Sequence, residues 1–348
     1  MKIAIVDADL IGRKNHRFPN LACMKLSSYH KMLGNDVVLE QNYNNLHNYD
    51  KILISKVFTD TVVPEEVLNM KNVEYGGTGF YYDKAPKLPD DIEHIFPDYH
   101  LYDDFVKEQI KKGVKPKGLK EYTDVSIGFT TRGCIRQCKF CVNQNYKKAS
   151  IHSRIEEFYD PTRKYICLLD DNIFACKDWK QVFDELIATG HKFYFKQGMD
   201  ERLLTDEKCE YLFNKANWYG DYTFAFDNIK DRKIIEKKLQ MIREHTDKQC
   251  RFYVFCGFNH NDPGIYSDEF WKNDIADLFE RISILMKYKC LPYIMRYMDY
   301  EKSPFRGMYI DIARWCNQPS FFKKKTFREF CIMTVSYTHL TLPTTPYV

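Results

Sequence analysis

No apolar run in the 348 residues approaches the roughly 18 that a membrane-spanning helix needs, so the sequence predicts no such span. Charge of one sign is also missing. Lys and Arg number 52 against 48 Asp and Glu, and a net charge of +4 is too balanced to argue alone for nucleic acid or anionic lipid. An export signal is absent from the start, MKIAIVDADLIG, where one short apolar run is followed by acids and bases; this reads as a first strand of a cytoplasmic protein. Without export, the twelve cysteines do not imply a disulfide framework, and free thiols or metal ligands are expected instead. Nor is the chain poor in aromatics: at 16% aromatic and 44% hydrophobic it has globular composition, and its length suits about two domains.

Two regions emerge along the chain. Residues 2–8 (KIAIVDA) read as a buried strand, and Asn20 after Pro19 as the N-cap of a helix whose face carries Ala22, Leu26, Tyr29 and Leu33. Gly34-Asn35 is a stop signal. Strands DVVLE (36–40), KILISKVF (51–58) and VEY (73–75), with a short helix near 64–70, complete a small parallel α/β unit that closes at Gly76-Gly-Thr-Gly79. Residues 81–122 form a connector. Its prolines, Pro86, Pro89, Pro97 and Pro116, make it poor material for a core, and the six lysines from Lys107 to Lys120 read as a solvated face, with an RNA-facing stripe as the lesser reading.

The second region, 123–300, alternates strands and helices. The strands are TDVSIGFT (123–130), KYICLLD (164–170), HKFYFKQ (191–197), DYTFAFD (221–227), RFYVFCGF (251–258) and LPYIMRYM (291–298). On 229–246, Ile235, Leu239 and Ile242 share a helix face; on 268–287, Ile275, Leu278, Phe279, Ile282, Leu285 and Met286 do so. Six βα units at spacings of roughly 30–40 residues predict a partial (β/α)6 TIM-type barrel, whose chemistry belongs at the C-terminal strand ends. The extension 301–334 contains FFKKKTFREF, in which bases and aromatics suit nucleic acid or a helix packed on the barrel equally well. The last residues, 335–348, carry no charge, and VSYTHL resembles one reading frame of a transposon adapter used in sequencing libraries; this tail is read as non-native.

The chemistry begins just after the first barrel strand, at Thr131-Arg-Gly-Cys134-Ile-Arg-Gln-Cys138-Lys-Phe-Cys141. The spacing is C-x3-C-x2-C, and thiolates this close can converge on one metal centre. Zinc prefers four ligands, usually in two separated pairs, and no second pair exists here. Iron–sulfur clusters are normally held by four thiolates, so three cysteines leave one iron open. The remaining nine cysteines, Cys23, Cys167, Cys176, Cys209, Cys250, Cys256, Cys290, Cys316 and Cys331, are scattered.

This loop resembles the cluster motif of the radical S-adenosylmethionine (radical SAM) superfamily, C-x3-C-x-aromatic-C after the first strand of a partial (β/α)6 barrel, with Phe140 as the aromatic. The resemblance implies a [4Fe–4S] cluster on Cys134, Cys138 and Cys141, and S-adenosylmethionine chelating the fourth iron. It further implies one-electron cleavage to a 5′-deoxyadenosyl radical, and hydrogen abstraction from a substrate. Phe140 is counted with the cofactor contacts. After the second strand, Asp170 and Asp171 are candidates for the methionyl amine, with an N-cap among Asp170, Asp171 and Asn172 as the alternative. After the third, Gln197 is a candidate polar contact and Gly198 permits close approach; Arg202 suits the methionyl carboxylate or else pairs with Asp200 or Glu201. After the fourth, Asp227 binds a ribose hydroxyl or substrate, or caps the helix at 229. Cys256, Arg296 and Tyr297 face the expected substrate region without assigned chemistry, and the catalytic residue is unknown.

Region 1–80 looks like the cobalamin-binding α/β domain that precedes the barrel in many radical enzymes. The lower-ligand signature of that domain, Asp-x-His-x-x-Gly, reads here Asp7-Ala-Asp9-Leu-Ile-Gly12, without histidine, which predicts a degenerate, cofactor-free domain. Further stretches, FPNLACMKLSSYHK, YGGTGF, DDIEHIFPDY, KQGMDERLL and RWCNQPSFFKKKTF, resemble a bacterial and phage group of radical SAM proteins with no assigned substrate. The expected partners are S-adenosylmethionine, a reductant such as flavodoxin or ferredoxin, and an unidentified substrate, with RNA and peptide as the classes considered. No auxiliary cluster motif is visible, which weighs against methylthiolation and peptide maturation. A cobalamin-dependent methyltransferase and a non-catalytic metal-binding module are the alternatives.

Overall fold

Strand β1 (Lys2–Asp7) is apolar on both faces because both faces are covered. Ile3 and Ile5 point into one cluster with Cys23, Met24 and Leu53, while Ala4 and Val6 point into the other with Leu46, Ile54 and Val67. This period-two division is what a parallel sheet buried on both sides demands. The computed structural model describes residues 1–14, 16–143 and 146–334. Its chain divides into two compact units, residues 1–194 and 195–348, taken in turn below.

In the first unit, Asn20 caps helix α1 (Leu21–Met32) by accepting from the Cys23 amide, and Gly34, at φ +76°, follows its end. Strands β2 (Asp36–Leu39), β3 (Lys51–Ser55) and β4 (Val73–Gly76) complete a parallel sheet of order β2-β1-β3-β4. The connector reading needs correction. Tyr99, Leu101, Tyr102, Phe105, Leu119 and Tyr122 all lie in the core cluster on the α1 face of β1. The prolines do not prevent this: Pro89 precedes the helical turn Asp90–Glu93, Pro116 opens another, and Pro86 and Pro97 lie in irregular segments. Five of the six lysines are exposed, with Lys120 half-buried, as a solvated face requires. The same unit holds β5 (Val125–Gly128), paired in parallel with β6 (Tyr165–Leu168), and after helix α2 (Trp179–Ala188) the third strand of that sheet, β7 (Lys192–Phe195), which ends at the unit's boundary.

The second unit contains the parallel sheet β8 (Tyr222–Ala225), β9 (Cys250–Cys256) and β10 (Leu291–Arg296), alternating with helices α3 (Arg232–His245), α4 (Asp268–Lys287) and α5 (Arg306–Cys316). Ile235, Leu239 and Ile242 on α3 are buried, as are Ile275, Leu278, Ile282 and Leu285 on α4. Met286, expected among them, is 47% exposed, while Ile284 is 6% exposed. The buried arc of α4 is centred on Leu278 and Leu285 and runs through Arg281, which leaves Met286 at its rim. In FFKKKTFREF the aromatics turn inward: Phe322 and Phe327 pack on Trp315, with Phe330 also buried, while Lys323, Lys324 and Arg328 are exposed. The tail read as adapter-derived lies outside the described residues. Among the described residues, no helix is long and apolar enough to cross a membrane.

Candidate functional site

The cysteine loop leaves and re-enters the first unit at one place. Thr131–Arg132 pairs antiparallel with Ser150–Ile151, so the excursion between them is closed at its base. Gly133 sits at φ +104°, and a Cβ there would lie 2.2 Å from the Lys148 carbonyl oxygen; only glycine fits this crossing. The Cys134 amide donates to the Tyr146 carbonyl at 3.1 Å, and the Cys141 amide to the Cys138 carbonyl at 2.9 Å. The Tyr82 hydroxyl donates to the Phe140 carbonyl at 2.6 Å, tying the loop to the connector. None of the twelve cysteines is joined in a disulfide. Nine are buried, and the three that are not are Cys134, Cys138 and Cys141.

Two of these sulfurs already accept hydrogen bonds. Cys134 Sγ accepts from the Arg136 amide and from Asn172 Nδ2, both at 3.4 Å, and Cys141 Sγ accepts from the Asn143 amide at 3.4 Å. Among the described residues no three His, Cys, Asp or Glu side chains are gathered as around a single ion.

The end of β6 reaches back to the loop. Asp170, 2% exposed, accepts from the amide and hydroxyl of both Thr130 and Thr131 at 2.6–2.8 Å. Burial pushes its carboxyl up to about 6, against the pull of these four donors. Asp171 accepts from the Gly133 amide at 2.8 Å and from Asn143 Nδ2; burial raises its carboxyl too. The expected N-cap is not realised as a side-chain bond: Asn172 precedes the turn Ile173–Ala175, but its side chain does not accept from it.

Glu93 is a site residue the sequence reading missed, although it lies within DDIEHIFPDY. Its carboxylate holds Lys25 Nζ and His152 Nε2, both at 3.0 Å, with Arg132 Nη2 at 3.8 Å. Burial would raise its carboxyl, but His152, Lys25 and Arg132 outweigh that and bring it down to about 2. Because Arg132 and His152 flank the two ends of the loop's base, this network anchors the loop to α1 and the connector. Nothing in the local spacing signals it, since the partners are 39 to 68 positions away in sequence.

The other predicted residues belong to the second unit. Gln197 is exposed. Gly198 is pressed by its own chain, since a Cβ would meet the Phe224 carbonyl and the Tyr253 ring at 3.0 Å. Arg202 donates through Nε to Asp200 at 2.7 Å and through Nη1 to Asp231 at 2.6 Å, so the fork expected for a ligand carboxylate is engaged by two aspartates. Asp227 accepts from the Phe255 amide at 3.2 Å; burial lifts its carboxyl to about 6 while Arg281 opposes the rise. The turn at 229 is capped by Asn228, which accepts from the Lys230 amide, and not by Asp227. Glu201, unremarked in the sequence, is fully buried beside the Ala225 amide, and burial raises its carboxyl well above the usual range. Cys256 is 2% exposed with its thiol pushed up by burial; Arg296 lies over the Tyr300 ring, and Tyr297 packs edge-on against Phe258.

In the helical turn Ala8–Gly12 after β1, Asp9 stands at the position where the cobalamin signature has histidine. It is 1% exposed, and its carboxylate accepts from the Val57 amide at 2.7 Å and from the Phe58 amide and Thr61 hydroxyl. The Gly76–Gly79 turn packs on the same loop: a Cβ on Gly77, at φ +105°, would lie 2.3 Å from the Lys56 carbonyl oxygen.

A Rossmann-like parallel sheet followed by a parallel α/β region defines the fold class. Among solved structures this chain is similar to that of TsrM from Kitasatospora setae, a radical S-adenosylmethionine methyltransferase with tryptophan substrate and the S-adenosylmethionine analogue aza-SAM bound. The TM-score is 0.54 at 11% identity, covering 84% of this chain and 72% of that one. At that identity the likeness is one of fold, and it agrees with the architecture expected from the cysteine motif and strand rhythm. No protein-family model and no curated protein matches the chain.

Proposed function

We propose that this chain binds a [4Fe–4S] cluster through Cys134, Cys138 and Cys141 and is a radical SAM enzyme acting on an unidentified substrate. The observation that carries the proposal is the contrast among the cysteines: nine are buried, and the three in one base-pinned loop are accessible, in a chain with the fold of a radical SAM structure. Each thiolate of such a cluster holds its own iron, so the requirement is three accessible sulfurs along one loop, not convergence on a point. When bound, the cluster supplies the electron that cleaves the carbon–sulfur bond of S-adenosylmethionine, leaving a fragment able to take a hydrogen atom from substrate.

The chain's own residues hold the loop. Gly133 makes the crossing at its base, the Arg136 and Asn143 amides donate to the sulfurs of Cys134 and Cys141, and Tyr82 fixes the backbone at Phe140. Asp170 secures the loop entry. Gln197, being exposed, is retained as a contact to S-adenosylmethionine. Asp170, Asp171, Arg202 and Asp227 hold partners within the chain, and a cofactor contact at any of them replaces one of those bonds. The electron donor is taken to be of flavodoxin or ferredoxin type.

A cobalamin-dependent methyltransferase is the second reading, favoured by the methyltransferase named in the structural comparison. The residues do not fit the corrin's lower ligand: aspartate stands near the histidine position, and loop residues 57–61 engage its carboxylate. We therefore derive no step through cobalamin. Anaerobic reconstitution tests the proposal. About four iron and four sulfide per chain are expected; uptake of zinc in preference to iron contradicts it, and cobalamin retained through gel filtration reinstates the second reading.

A further inference from the structure

Three consecutive residues past β6 grip the cysteine loop at successive points. The parallel register Gly128↔Leu168, continued by the Leu169 amide donating to the Gly128 carbonyl at 2.9 Å, sets the end of β6 beside the end of β5. From there Asp170 takes the loop entry at Thr130 and Thr131. Asp171 takes Gly133, just before Cys134, and Asn143, two residues after Cys141, so one carboxylate spans the whole motif. Asn172 takes a sulfur: its Nδ2 donates to Cys134 Sγ at 3.4 Å.

The last contact differs in kind from the others. The first two position backbone, whereas the third touches a ligand atom. Asn172 is 3% exposed, so its amide reaches the sulfur from the buried side of the loop, where a dipole acts more strongly than in open water. An N–H directed at a thiolate sulfur favours whichever state of an attached cluster carries more negative charge. That is the reduced state, and hydrogen bonds to cluster sulfurs are among the determinants of potential.

We infer that Asn172 is a positioning residue that raises the reduction potential of the cluster through its hydrogen bond to Cys134, while Asp171 closes the loop around the three thiolates. The inference rests on the cluster assignment above and extends it to a residue outside the motif.

The test is a redox titration of anaerobically reconstituted protein, followed by the electron paramagnetic resonance signal of the reduced cluster. Iron and sulfide are counted on the same samples. Asn172→Leu removes the donor at similar size, and Asn172→Asp replaces it with an acceptor. Both are expected to keep the wild-type iron content and to titrate at lower potential, the aspartate variant lowest. Either variant with full iron and an unchanged potential overturns the inference. Should both lose iron, wild-type protein carrying 15N in asparagine side-chain amides decides: a nitrogen hyperfine coupling to the reduced cluster supports the contact, and its absence overturns it. Wild-type protein that takes up no iron overturns both this inference and the cluster assignment. A full cluster with unshifted variants overturns this inference alone.

Discussion

Exposure separates cysteines that the sequence counts alike. Cys134→Ala, Cys138→Ala and Cys141→Ala are each expected to lose the reconstituted cluster, whereas Cys331→Ala, buried near the C-terminus, keeps full iron; iron analysis checks this, and full iron in any of the first three contradicts the ligand assignment. Gly133→Ala is expected to cost about 1–3 kcal/mol from backbone strain at φ +104°, plus a clash with the Lys148 carbonyl, read by urea unfolding and by faster loss of iron to a chelator. The cysteine loop was legible because its information is local: spacing, an aromatic, and a preceding strand. The roles of Asp170, Asp171 and Asn172 were not. Their number and chemistry pointed to a ligand or a cap, but which way each turns is decided by residues 130–134 past the end of β5, 38 to 40 positions earlier. Arg202 shows the same limit: its neighbours Asp200 and Glu201 were visible, whereas Asp231, 29 positions on, was not.

Helices and strands were legible where one face does the packing. The α4 boundaries 268–287 follow from Ser267, whose side chain accepts from the Phe270 amide, and from sustained apolar periodicity. Periodicity alone did not locate the centre of the buried arc, because the position of the partner surface chooses it. Ile282→Ala should therefore destabilise by about 2–5 kcal/mol, and Met286→Ala by well under 1 kcal/mol, measured as the shift in urea midpoint. A large loss at Met286 would contradict the packing of this helix. The connector was misjudged from its prolines, although its aromatics carried the contrary signal: Tyr102 sits 2% exposed with its hydroxyl donating to Asp7.

That contact joins distant parts of the first unit, and the burial of Asp7 gives the unit a pH dependence. Burial raises the Asp7 carboxyl from 3.8 to about 7, against the pull of the Tyr102 hydroxyl and the Leu10 amide. A raised folded-state value means that protonation favours the fold. The contribution is complete below about pH 4 and is lost as pH rises towards 7. Asp7→Asn keeps an acceptor for the Leu10 amide and should abolish this slope, a gain relative to wild type on the order of 3 kcal/mol at neutral pH. Equal pH profiles by urea unfolding would contradict it. Glu93 acts with the opposite sign: its stabilisation is present above pH 4.5 and is lost as the carboxyl protonates towards about 2. Acid should therefore loosen the base of the cysteine loop.

The role proposed for the loop with three accessible thiols is to present a redox cluster to S-adenosylmethionine. Its most direct test is to incubate anaerobically reconstituted protein with S-adenosylmethionine and dithionite and to measure 5′-deoxyadenosine by liquid chromatography. Release is expected to require both iron and reductant and to disappear in Cys138→Ala. Protein holding a full iron complement that leaves the sulfonium intact would contradict it.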